Sequence, residues 1–201
     1  MMKKKIKLIM ILALILLVSF FLDGPVASLF LLLRHPFLDK VMEWFSHEIT
    51  VFVVLVIVST LFLYNEKKKR FIPVLFTSFF LGIIISKLLK FVFIRPRPQG
   101  MEYMNIGFLD FNLKLPDYSF PSAHATSSFS VLPILDKEFR KVQFFWIFFS
   151  VMVVISRIYL NEHYLSDTVA GSIMGYALGY FLLKMEQKHG YAKKFFQKVR
   201  V

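Results

Sequence analysis

The sequence predicts an all-α integral membrane protein: six transmembrane helices, both termini cytoplasmic, and an interfacial helix after the first span, in a single domain over residues 1–201. Three observations predict it. Hydrophobic residues make up 57% of the chain and 25 of its 201 residues are Phe, so it is too apolar for one soluble core. The apolar residues fall in long runs separated by short polar links, and the basic residues cluster in those links. The net charge of +12 therefore reads as topology signals and contacts to anionic head groups, not as a nucleic-acid surface. No Cys is present, which excludes a disulfide framework.

The first span is Leu8 to Leu22, preceded by Lys3, Lys4, Lys5 and Lys7, whose stems can snorkel to the interface. A removable signal peptide has the same features, with Val26-Ala27-Ser28 as its cleavage site. Asp23-Gly24-Pro25 should break this helix. Phe37, Leu38, Val41, Met42 and Phe45 then recur at helical spacing beside Asp39, Lys40 and Glu43, the pattern of a helix lying in the interface. Span two is Ile49 to Tyr64, closed by Glu66-Lys67-Lys68-Lys69-Arg70. Span three runs from Phe71 to about Ile94 and stops at Arg95-Pro96-Arg97-Pro98. From Gln99 to Tyr118 the chain is polar. Leu109, Phe111, Leu113 and Leu115 alternate there with polar residues, which fits an extended flap, although an ordinary loop is the preferred reading. Span four opens at Pro121-Ser122-Ala123-His124, with Pro121 in its first turn, and ends near Leu135; span five is Val142 to Ile158 and span six Leu165 to Leu183. Gly171, Gly175 and Gly179, at four-residue spacing, predict close helix packing in span six.

Orientation follows from the charges in the links. Residues 23–48 carry two Lys/Arg against four acids, residues 66–70 four against one, and the tail 184–201 six against one. The last two connections are therefore cytoplasmic, as is the N-terminus. The end of span three, the start of span four and the junction between spans five and six then share the outer face.

That face gathers Lys90, Arg97, Ser122, His124, Arg157, His163 and Asp167. Such a cationic cluster near a membrane core repels itself unless it holds an anion. Arginine forks match phosphate oxygens, Lys90 adds a point charge, and the amides around Ser122 and Ala123 add a helix N-terminus. Two histidines allow one to attack phosphorus while the other protonates the leaving oxygen. His163 and Asp167, four apart, fall on one face if span six begins early enough, with the carboxylate orienting the ring; the bland alternative is that they decorate a helix end. Glu162, next to His163, is expected to point away, and Lys87 to snorkel.

The three pieces are K-x6-R-P from Lys90 to Pro98, P-S-x-H from Pro121 to His124, and S-R-x5-H-x3-D from Ser156 to Asp167. In this order they resemble the signature of the type 2 phosphatidic acid phosphatase superfamily, the integral-membrane lipid phosphate phosphatases. The resemblance implies a multi-pass enzyme of the cell membrane whose active site faces outward. Its substrate would be a lipid phosphate monoester or polyprenyl diphosphate, such as phosphatidylglycerophosphate or undecaprenyl diphosphate. It implies that His163 is the nucleophile of a phosphohistidine intermediate, Asp167 its orienting carboxylate and His124 the general acid. Lys90, Arg97, Ser122, the Ala123 amide and Arg157 would hold the phosphoryl oxygens, with no metal or other cofactor. Ala123 departs from the Gly usual in the family, which is harmless only if its φ is negative. A lipid-linked phosphotransferase and a non-catalytic binder or transporter of anionic lipid are the alternative functions.

Overall fold

A computed structural model gives the architecture; it describes residues 2–64, 68–100, 102–108, 111–192 and 194. The basic link at 66–70 and the basic tail therefore lie partly outside the described residues.

The chain is mostly helical. Helix α1 is Met2–Leu32 and α2 is Pro36–Ser46. Glu48–Leu63 forms one rod, of which α3 is Glu48–Phe52, Val53–Val58 a π turn and α4 Ser59–Leu63. Helix α5 is Phe71–Phe93, α6 Ala123–Glu138, α7 Gln143–Tyr159 and α8 Leu165–His189. Ile6–Leu32, Phe71–Phe93 and Arg140–Tyr159 are long and apolar enough to cross a membrane. Pro36–Ser46 with Glu48–Leu63, bent by 54°, adds a fourth span if the pair crosses as one. The remaining two helices are less apolar for a reason visible in their packing. Thr126, Ser127, Ser128 and Ser130 of α6 are buried against neighbouring helices, where small side chains let backbones approach.

Helix α6 is the centre of the bundle, in contact with α5, α7 and above all α8. Gly171, Gly175 and Gly179 make that contact, as their spacing predicts. A Cβ on Gly171 would lie 2.6 Å from the Ser122 carbonyl oxygen, and one on Gly175 or Gly179 would fall on the carbonyl oxygen of Thr126 or Ser130. The apolar core lies beside this seam, around Leu55, Leu75, Val131, Leu135, Trp146 and Val153.

Two expectations are corrected here. Helix α1 does not break at Asp23-Gly24-Pro25 but continues to Leu32 with Pro25 inside it. A proline removes one backbone bond, and here the helix is held on both sides of it: before Pro25 the buried Asp23 accepts bonds from Ser166 N at 2.8 Å and Ser166 Oγ at 2.6 Å at the start of α8, and beyond it Phe30 packs edge-on against Tyr159 with ring centroids 6.1 Å apart. The polar stretch after α5 is not an ordinary loop but an antiparallel hairpin of β1 (Glu102–Phe108) and β2 (Phe111–Asp117). The period-two pattern was the correct signal for it.

Candidate active site

Between Phe93 and Ser122 the chain makes the turns that build the site. Ile94 closes α5 in the left-handed conformation, φ 48°, its N–H bonded to Lys90 O at 3.0 Å. The prolines at 96 and 98 exclude helix after it, and two arginines separated by one residue leave in opposite directions. Arg97 turns toward Asp117, at 2.6 Å; Arg95 turns toward Asp167, also at 2.6 Å.

Lys90, Arg97, Ala123, His124, Arg157 and His163 line a single cavity of about 730 Å³. They come from α5, the Arg-Pro turn, the first turn of α6, the last turn of α7 and the α7–α8 link, which the sequence separates by up to 73 positions. The three cations are almost wholly buried, and two carboxylates share them. Asp117 takes Lys90 Nζ on one oxygen and Arg97 Nη2 on the other, each at 2.6 Å. Glu162 pairs with Arg157 and lies 3.4 Å from Arg97 Nη1. The expectation that Glu162 points away is thus corrected: it stands in a turn, not on a helix, and the turn aims it inward. Lys87 also lines the cavity.

His163 and Asp167 are brought together, but not as neighbours on one helical face. His163 lies in the link before α8, only 2% exposed, while Asp167 caps that helix by accepting from Tyr164 N at 2.8 Å. Asp167 Oδ2 is 3.5 Å from His163 Nδ1, and Ser119 bridges the gap. Its Oγ donates to Asp167 Oδ2 and sits 3.3 Å from His163 Nδ1. With Nδ1 protonated toward Ser119 and Asp167, Nε2 carries the lone pair. Burial, and then the charges of Arg157, Arg97 and Lys90, hold the imidazole well below the ordinary histidine range, so it is neutral at neutral pH. Burial alone would raise the Asp117 carboxyl, but Lys90 and Arg97 override it and hold it below its ordinary value.

His124 opens α6 and lines the cavity, its Nε2 enclosed and without a hydrogen-bond partner. Pro121 is not in the first turn of that helix. It precedes the N-cap Ser122, whose Oγ accepts from Ala125 N at 3.4 Å and whose own N–H donates to Asp167 O at 3.1 Å. The Ser122 side chain is fully buried as a cap, leaving Ala123 at the cavity wall. Ala123 is the first residue of α6 and is not in the left-handed region, so its methyl costs nothing in φ. The amides of Ala123 and His124 have no intrahelical acceptor, which leaves a helix N-terminus facing the cations. Among the described residues no group of three or more His, Asp or Glu is placed to hold a metal ion.

Comparison with known proteins places this geometry in a family. The sequence profile of the PAP2 superfamily matches residues 71–191, more than half of the chain and every one of Lys90, Arg97, Ser122, Ala123, His124, Arg157, His163 and Asp167. The chain belongs to the PAP2 superfamily. Among its relatives, it is 26% identical to the lipid A 4'-phosphatase of Porphyromonas gingivalis, over 76% of this chain and 67% of that protein. It is 25% identical to phosphatidylglycerophosphatase B of Bacillus subtilis, over 88% and 87% of the two chains. An undecaprenyl-diphosphatase of Sulfolobus acidocaldarius is 27% identical over 64% and 62%. Two solved structures share the fold. The phosphatidylglycerolphosphate phosphatase of Bacillus subtilis superposes with a TM-score of 0.64 at 21% identity, covering 89% of this chain and 95% of that one. LpxE of Aquifex aeolicus superposes with a TM-score of 0.60 at 22% identity, covering 81% and 95%.

Sequence reasoning missed Asp23, Arg95, Asp117, Ser119 and Glu162. Two of them left a signal. A lone carboxylate at the end of an apolar run, as Asp23 is, marks a buried partner, and the doubled Arg-Pro predicts arginines on opposite sides of an extended segment. Asp117, at the end of β2, and Ser119 and Glu162, in links, carry no local signal of their role.

Proposed function

We propose that this PAP2 chain is a lipid phosphatase that hydrolyses a lipid phosphate monoester or polyprenyl diphosphate through a phosphohistidine, without a metal. The observation that supports it best is the convergence of Lys90, Arg97 and Arg157 with His163 and His124 on one cavity. In this reading the six-helix layout crosses the membrane six times, termini inside, and the cavity opens on the outer face.

The phosphoryl group displaces Asp117 and Glu162 from the cations, which then hold its oxygens together with the Ala123 amide; Ser122, as cap, keeps that amide aimed at them. His163 Nε2 forms the N–P bond as the P–O bond to the lipid breaks, and the leaving oxygen takes a proton from His124. Ser119 and Asp167 stabilise the imidazolium character that develops on His163. Water then attacks phosphorus, giving its proton to His124, and the N–P bond breaks to release inorganic phosphate. A second cavity of about 410 Å³ shares Lys87, Ala123 and His124 with the first and continues along Phe52, Phe79, Phe80 and Ile83, offering the lipid tail an apolar wall.

Phosphate release from phosphatidic acid, phosphatidylglycerophosphate, undecaprenyl diphosphate and lipid A, measured with chelator present, tests the proposal. The parent should turn over at least one of them, and His163→Ala should lose roughly 10⁴-fold or more. Undiminished turnover in His163→Ala would sink the mechanism, and transfer of the labelled phosphate to an added alcohol in place of water would make the chain a phosphotransferase.

A further inference from the structure

We propose that Asp23 and Arg95 are positioning residues of this active site, acting through Asp167; the inference rests on His163 being the nucleophile. Asp167 Oδ2 is taken by Ser119 and by Tyr164 N, which leaves Oδ1 to Arg95 Nη1 at 2.6 Å. The other end of the same guanidinium, Nη2, meets Asp23 Oδ2 at 2.6 Å. Ser166 closes the circuit: its Oγ accepts from Arg95 Nη1 at 2.7 Å and donates to Asp23 Oδ2 at 2.6 Å, while its N–H donates to Asp23 Oδ1 at 2.8 Å. The guanidinium is also covered by the Tyr164 ring at 4.2 Å and the Phe20 ring at 5.4 Å, so its plane has little freedom.

Two carboxylates therefore share one cation in a buried site. An arginine serving Asp167 alone would close on it with both arms and neutralise it, since guanidinium and carboxylate pair in bidentate fashion. Asp23 draws one arm away. It leaves Asp167 fixed in direction yet with charge to spend on Ser119 and the His163 Nδ1 proton. Helix α1, outside the three motif segments, thereby becomes part of the catalytic support. A simple staple between α1 and α8 would need only the Asp23–Ser166 bonds and would have no reason to include Arg95 or Asp167.

The test is a double-mutant cycle on the full chain in detergent, with an activated aryl phosphate so that weak activities remain measurable. Asp23→Asn should lower kcat roughly tenfold to a hundredfold, the range seen for residues that orient a functional ligand, with KM within about twofold and orthovanadate affinity unchanged. In the Asp167→Asn background the same substitution should change kcat by less than about twofold, because the group it acts through is already disabled. Equal factors in the two backgrounds, or a raised KM with kcat intact, would overturn the inference. Arg95→Lys, which keeps the charge but not the fork, should show the same pattern and serves if Asp23→Asn does not fold. An independent arm needs no turnover: the imidazole ¹⁵N signals of His163, identified by their loss in His163→Gln, should move in Asp23→Asn, and unmoved signals would refute the inference. A parent that releases phosphate from no substrate would count against the proposed function, while the ¹⁵N arm would still decide this question.

Discussion

Asp117 grips Arg97 and Lys90 at once, one carboxylate oxygen to each at 2.6 Å, at the end of the hairpin that follows α5. A carboxylate bridging a guanidinium and an ammonium occupies the geometry that a phosphoryl group would use. Asp117→Asn removes the competing charge and leaves the shape. Orthovanadate or inorganic phosphate should then bind roughly threefold to tenfold more tightly, about 0.7–1.4 kcal/mol, by calorimetry or competitive inhibition. Weaker binding would mean that Asp117 aligns the cations and does not compete with the anion.

The pH profile should be skewed to the acid side. Opposed roles for two histidines give a bell-shaped kcat/KM, whose acid limb marks the neutral imidazole of His163. Burial, with Arg157, Arg97 and Lys90, lowers that group well below 6.5, so activity should persist below the ordinary histidine range and fall only when His163 is at last protonated. Asp117 opposes this shift, so Asp117→Asn should displace the acid limb to still lower pH. A limb that stays near the ordinary histidine value in the parent would assign it to another group.

His124 should matter in proportion to the leaving group. His124→Ala should lose most activity on a lipid phosphate monoester and much less on an activated aryl phosphate, whose leaving oxygen needs no proton. Equal losses on the two substrates would reduce His124 to a phosphate contact.

The α6–α8 seam should tolerate no added methyl. Gly179→Ala drives a Cβ onto the Ser130 carbonyl oxygen, a backbone atom that cannot swing aside, and should cost roughly 1–3 kcal/mol, seen as a lower melting temperature in detergent. Gly24→Ala is the control. Nothing lies within 4 Å of its added Cβ and the residue is inside α1, so stability should hold or rise by about 0.5–1 kcal/mol.

The sequence by itself determined the apolar helical character, the positions of α5, α6 and α7 and the start of α8 to within a few residues, the glycine seam and the motif residues, Lys90, Arg97, Ala123, His124, Arg157 and His163, that meet at one cavity. These are legible because each depends on local facts: a run of apolar residues, a proline pair, a four-residue period, a spacing within one segment. Tertiary structure alone decided how the site is wired. Whether Asp23-Gly24-Pro25 ends a helix depends on what holds the turns on either side of it, and those holders, Ser166 for Asp23 and Tyr159 for Phe30, come from the far end of the chain, Ser166 lying 143 positions from Asp23. Glu162 turns inward because Arg157 and Arg97 await it, and Ser119 enters between His163 and Asp167 because its link is strapped to Arg95 O at 2.7 Å. A buried charge takes its direction from partners that no local pattern can name, since its cost is met only by whichever opposite groups the fold brings into contact.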